Sequence, residues 1–284
     1  MLLKLVAFNN VAANQTATLD MLSLTAGKVI DRVMLLLGGT FTKAQINDIR
    51  IKANGKIIWN DNGDRTDKRM QYRGLAAAAN KLTIDFTEPR AKNQLEQLLG
   101  ALDTTRSGIK TLMMEADIGA ATNPTLAAWA ELSWQTTQIE ATENNPYGGA
   151  DLIGKVLNFP HQVAATNGKY PITIPYGAQG GSLIKRIHLV PPASGIVING
   201  FEIRKNGVTV FDSTKDMNDF VNTEFQRVPQ TGWFHYDAIK DGNFFTNLLN
   251  AADAKTMEFY ADVTVTTPGT VQVVVEMLDP LANN

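Results

Sequence analysis

The 284-residue sequence contains no cysteine. Disulfides, thiolate metal sites and cysteine catalysis are therefore excluded, and the composition fits folding and assembly in a reducing cytoplasm. Histidine is scarce. His161, His188 and His235 stand far apart, none with a second histidine two or four residues away. A cupin-like metal site needs a His-x-His pair converging with a carboxylate, so each histidine reads as structural. Phosphate-cradling loops, nucleophile elbows and His-Glu-x-x-His are absent, and Gly177–Gly181 reads as a turn before a strand. No catalytic or cofactor-binding residue is assigned, and the chain is read as a non-enzyme. Charge of one sign is missing too: 26 Lys and Arg against 28 Asp and Glu give a net charge of -2. The basic residues are scattered singly, without the stripe that phosphate binding needs, which argues against specific nucleic-acid binding. No apolar run approaches the roughly 20 residues of a membrane span. The run Met1–Phe8 halts at Asn9-Asn10 and reads as a strand, so any lipid contact is expected to be peripheral.

What the sequence does have is a copy of itself. Ile46, Asn47, Ile51, Asn54 and Gly55 recur as Ile198, Asn199, Ile203, Asn206 and Gly207, all 152 positions on. Both segments centre on Asn-Gly between alternating apolar residues, a strong hairpin signal. The correspondence extends in order along the chain. Val11-Ala12-Ala13 matches Val163-Ala164-Ala165, Val29–Val33 matches Leu183–Ile187, and Leu82–Asp85 matches Phe234–Asp237. Leu98–Asp103 matches Leu248–Asp253, and Lys110-Thr111, Ala116-Asp117 and Glu131 match Lys255-Thr256, Ala261-Asp262 and Glu276. The offset drifts from 154 to 145, as loop insertions and deletions make it do. So long a period means a duplicated domain and not a solenoid or propeller.

A hydrophobic fraction of 44% with 19% charged residues is that of a globular protein, and the length suits two domains. Each half reads as about eight strands with two short helices at matching places: Arg65–Ala79 and Lys92–Leu102 in the first, Thr214–Phe225 and Asn243–Ala252 in the second. Leu95, Leu98, Leu99 and Leu102 share one helix face, and Phe245, Leu248, Leu249 and Ala252 keep that spacing. The expected fold is all-β: two tandem eight-stranded jelly-roll sandwiches, at residues 1–138 and 155–284, joined by a linker over 139–154 around Asn144–Gly149. The helices and the missing Cys…Trp…Cys spacing disfavour an immunoglobulin-like sandwich. Asp61, Asp64 and Asp67 crowd one loop without the spacing of a calcium-binding hand. They read as a turn and helix start with Asp64 as a cap, and Asp212-Ser213 is expected to play that part in the second copy. Trp129 and Trp134 flank the last strand of the first half and read as core aromatics. Asn167-Gly168-Lys169 carries no mark of a receptor site.

The segments Val11–Asn14, Val29–Asp31 and Thr42–Lys56 resemble corresponding stretches of the corticovirus-type major capsid proteins, which coat tailless, membrane-containing icosahedral bacteriophages. The resemblance implies a double jelly roll whose homotrimers have a pseudo-sixfold outline and tile an icosahedral capsid over an internal membrane. The implied partners are neighbouring capsomers and minor capsid or penton proteins. The implied location is the virion, after assembly in the host cytoplasm. It further implies calcium at subunit interfaces, for which no ligand is assigned to any position. The other class of function open to such a fold is a carbohydrate-binding or adhesion module, which would use exposed aromatics such as Trp129 and Trp134. The duplication supplies a physical rationale for the shell: two similar domains per chain let three chains mimic a six-membered ring.

Overall fold

The computed structural model describes residues 1–92, 94–104, 108–133, 152–175, 182–251 and 253–281. Two compact units are present. The first comprises Met1–Val156 with Asp279–Ala282, and the second Leu157–Leu278. Residues 139–151 of the expected linker lie outside the described residues, as do Trp134, Gly177–Gly181 and Ala252 and the side chains of Leu95 and Phe245.

The first unit is built from β1 (Leu2–Lys4), β2 (Thr16–Asp20), α1 (Leu22–Thr25), β3 (Val29–Gly38), β4 (Ile46–Ala53), β5 (Lys56–Asp61), α2 (Gly63–Tyr72), β6 (Lys81–Asp85), α3 (Gln94–Leu98), β7 (Leu102–Asp103), β8 (Leu112–Ile118) and β9 (Thr125–Ser133). One sheet has the order β1-β9-β3-β6, with β7 also on β3, and the other has β5-β4-β8-β2. Apart from the β4–β5 hairpin and the β6–β7 step, consecutive strands thus alternate between two antiparallel sheets, which is the jelly-roll connection. Alternation drives it: in β9 Leu126, Ala128, Ala130 and Leu132 point inward while the residues between them stay partly or fully accessible.

The second unit repeats the plan. Its elements are β10 (Leu152–Val163), β11 (Gly168–Ile172), β12 (Leu183–Val190), β13 (Ile196–Lys205), β14 (Val208–Thr214), α4 (Lys215–Glu224), β15 (Phe234–Asp237), α5 (Phe244–Asn247), β16 (Leu249–Asn250), β17 (Met257–Val265) and β18 (Gly269–Pro280). The orders β10-β18-β12-β15 and β11-β17-β13-β14 match those of the first unit strand for strand, and β16 joins β12 as β7 joins β3. Its core includes Ile187, Leu189, Phe201, Phe234, Phe259 and Val273. Phe201 stands among Phe211, Phe234, Tyr236 and Phe259 with ring centroids 5.8–6.5 Å away.

The copies agree down to their irregularities. The ladder slips between Ile30 and Arg32 and again between Ile184 and Arg186. It slips between Ile51 and Lys52, and between Ile203 and Arg204. Each slip re-aims the side chains beyond it, so keeping it keeps the inward set. At the hairpin tips Asn54 and Asn206 have φ of 50° and 52°, followed by Gly55 and Gly207 at 79° and 78°. Both central residues are left-handed, as a type I′ turn requires. Asn54 Oδ1 accepts the Lys110 and Thr111 N–H groups at 2.7 and 3.1 Å; Asn206 Oδ1 accepts those of Lys255 and Thr256 at 2.7 and 3.2 Å.

Four sequence expectations need correction. Helices α2 (Gly63–Tyr72) and α4 (Lys215–Glu224) are shorter than the spans expected, Arg65–Ala79 and Thr214–Phe225, because the backbone turns left-handed at Gly74 and Gln226. The second helices, expected over Lys92–Leu102 and Asn243–Ala252, end at Leu98 and Asn247. The residues beyond them extend to pair with β3 and β12, because a ladder contact outweighs helical periodicity. The cap of α2 is Asn62, whose Oδ1 accepts the Arg65 N–H at 2.8 Å, and not Asp64, which lies in the first turn. Thr214, and not Asp212 or Ser213, is the N-cap of α4, and its side chain makes no capping bond.

Candidate functional site

Where a strand's inward residues fill the core, the residues between them line the sheet's outer face. On the β10-β18-β12-β15 sheet that face is charged and yet buried. Register places Arg186 between Glu276 and Asp237, and His188 between Val274 and His235. Arg186 meets Asp237 at 3.0 Å and Glu276 at 2.9 Å, and Arg227 adds a second cation to Asp237 at 3.1 Å. All four are buried. Charges taken out of water persist only when paired in this way.

The two histidines, isolated in sequence, meet here. His188 Nδ1 and His235 Nδ1 are 2.7 Å apart, His188 Nε2 is 3.3 Å from Glu276 Oε1, and the Gln230 N–H donates to His235 Nε2 at 3.1 Å. These contacts admit one proton arrangement. His235 Nε2 accepts, so its Nδ1 carries the hydrogen and donates to His188 Nδ1, which leaves His188 Nε2 to donate to Glu276. Both rings are neutral in that chain, and a proton added to either forces two donors together. Burial, and then the neighbouring His188, hold the His235 ring well below the usual histidine range. The expectation for each histidine took it singly, and the structure brings these two together on one sheet face. His161, on β10, is partly buried, and burial lowers its basicity as well.

The first unit carries the same rows with different contents and exposure. Arg32 pairs across the sheet with Glu131 and Asp85, forming an ion pair with Glu131 while both side chains stay over a third exposed. The positions of His188 and His235 hold Met34 and Thr83. Trp129 is opposite Met34, half-buried, with the Lys4 ammonium 5.5 Å from its ring centroid. It lies within β9 on the outer face, which corrects the expectation of a core aromatic beside the strand: alternation puts Ala128 and Ala130 inside instead. Leu2, Met34, Leu36, Lys81 and Trp129 line a shallow apolar hollow.

The three loop carboxylates are each engaged by different cations. Buried Asp61 meets Arg65 at 2.5 Å and Arg69 at 2.9 Å, Asp64 meets Lys68 at 2.9 Å, and Asp67 meets Lys43 at 2.6 Å. Among the described residues no group of three His, Asp or Glu is gathered as metal ligands.

The feature missed in sequence is an exposed apolar stretch in the second unit. Val208, Val210, Met217, Phe220, Phe225 and Val228 are all exposed, on or just after β14 and α4. At offset 152 Met217 and Phe220 correspond to Arg65 and Lys68, so a comparison of the two copies was the signal that could have found it. Exposed large apolar side chains grouped on one strand and the helix after it are a candidate contact surface.

Comparison with known proteins agrees with this architecture. The family model of the viral coat protein P2 N-terminal domain matches residues 2–135, and that of the P2 C-terminal domain matches 153–281. The crystal structure of the major capsid protein P2 from bacteriophage PM2 superposes with a TM-score of 0.82 at 21% identity, covering 100% of this chain and 98% of that one. The STIV major capsid protein gives 0.67 at 13% identity, covering 99% and 97%, and the PBCV-1 capsid protein 0.61 at 12%, covering 98% and 92%. No curated protein sequence matches significantly. Nothing in these matches supports a carbohydrate-binding module. With both halves matched in order, the chain belongs to the P2 family of viral coat proteins, a structural family and not an enzyme family.

Proposed function

We propose that this chain is the major capsid protein of a tailless icosahedral bacteriophage, and that it works as a homotrimer whose six sandwiches give each capsomer a pseudo-hexagonal outline. The observation that carries this reading is the strand-for-strand duplication, irregularities included, in a coat-protein family. Two near-equivalent units per chain let three chains form a closed ring of six. Trimers then meet neighbouring capsomers and minor capsid or penton proteins in a virion assembled in the host cytoplasm. They lie over an internal membrane without crossing it; no described helix is long and apolar enough to span one. Calcium at subunit interfaces completes the proposal: loss of the trimer on chelation supports it, and an unaffected trimer removes it. Class averages of the purified protein in negative-stain electron microscopy test the whole, with six-lobed particles expected. Particles with two lobes only would count against it.

A further inference from the structure

Equivalent faces of the two units are covered in opposite fashion. In the first unit the β5–α2 face is closed: Ile58, Trp59, Arg69 and Met70 are buried, and no residue from 56 to 73 is exposed. The corresponding β14–α4 face of the second unit is open, with Val210 49% exposed where Ile58 is 0%, Met217 57% and Phe220 60%. The outer sheet face shows the reverse. In the second unit Arg186, His188, Val274 and Glu276 are buried; in the first, their counterparts Arg32, Met34, Trp129 and Glu131 remain accessible. Each chain therefore presents two unlike open faces, one on each unit, and each is of a kind that the other unit keeps covered.

Unlike faces join heterologously, and a heterologous contact that closes makes a ring. We infer that the β14–α4 face of one chain receives the outer β1-β9-β3-β6 face of a second copy, with Met217 and Phe220 set against the hollow of Leu2, Met34, Leu36 and Trp129. Charge favours this pairing. Lys4 and Lys81 are exposed at the hollow, while Asp212, Asp216 and Glu224 are exposed around the α4 face. Divergence between the copies fits as well. The closed helix carries Arg65 and Lys68, each in an ion pair, where the open one carries Met and Phe. On the closed face the charged residues are kept in ion pairs within the chain; a helix that meets a partner gains by exchanging them for apolar side chains.

The inference rests on the trimeric reading above and names the surfaces that form it. The absence of native cysteine makes the test direct. Single variants Lys81→Cys and Phe220→Cys are mixed, allowed to exchange, and treated with a short bismaleimide. The expected product is a linked pair of about 62 kDa, two 31.0 kDa chains, in the mixture and not from either variant alone. A trimer without the cross-site product, or one giving same-site products, overturns the surface and leaves the trimer standing. A protein that stays monomeric overturns both. A second variant, Met217→Arg with Phe220→Lys, copies the residues of α2, so the helix tolerates it. It should weaken trimer association about 30-fold or more if these residues centre the contact, and an unchanged trimer would refute their role.

Discussion

The neutral histidine chain predicts a specific acid sensitivity of the second unit. His235 is fully buried and uncharged, whereas in the unfolded chain it titrates near the ordinary value of about 6.5. Its folded-state value is depressed, so as pH falls below about 6.5 the unfolded chain takes up a proton that the native one refuses. Stability is full above that value and drains away beneath it. From pH 7.5 to 5.0 this one group removes about 2 kcal/mol. The duplication supplies the control: His188→Met with His235→Thr installs the residues that occupy these positions in the first unit, Met34 and Thr83. Urea unfolding of wild type and double variant, followed by circular dichroism across that range, should show wild type losing at least about 2 kcal/mol more, since the variant lacks both buried rings. Carboxylates away from the pair affect both proteins and drop out of the difference; Glu276, which His188 faces, is read separately with a His188→Met single variant. Parallel pH profiles for the two proteins would refute the proton arrangement drawn here.

Other perturbations separate equivalent positions in the same way. Arg186→Met leaves Asp237 and Glu276 buried with fewer partners and should cost about 3–5 kcal/mol in chemical denaturation, while Arg32→Met, at an exposed pair, should cost under about 1 kcal/mol. Asn54→Ala removes three side-chain hydrogen bonds and Asn206→Ala two, and both place alanine at positive φ, so each should lower stability by about 2 kcal/mol or more in thermal unfolding, Asn54→Ala at least as much as Asn206→Ala. Ile58→Ala should destabilise the chain by about 2–4 kcal/mol, while Val210→Ala should leave chain stability nearly unchanged and weaken association, as read by denaturant midpoint and trimer dissociation constant.

Much of this architecture was legible in the sequence because it is written locally and twice. Asn54-Gly55 and Asn206-Gly207 announce left-handed hairpin tips, and the match of Lys110-Thr111 with Lys255-Thr256 turned out to link the residues those two asparagines bind. Long-range pairing was less visible. His188 and His235 are 47 residues apart and meet only because β12 and β15 take one register. Helix lengths failed for a similar reason: Leu102 and Leu249 keep helical spacing, yet β3 and β12 offer them a ladder. The opposite covering of equivalent faces showed only in part: Met217 and Phe220 against Arg65 and Lys68 signal it, while Ile58 and Val210 look alike in sequence and differ only in what surrounds them.

The central claim, a coat protein whose duplicated sandwiches close into a ring of six, is tested most directly by the native mass of the purified protein. The account predicts a trimer of three 31.0 kDa chains, about 93 kDa, present without other virion components. A monomer in every buffer and at every concentration would contradict it.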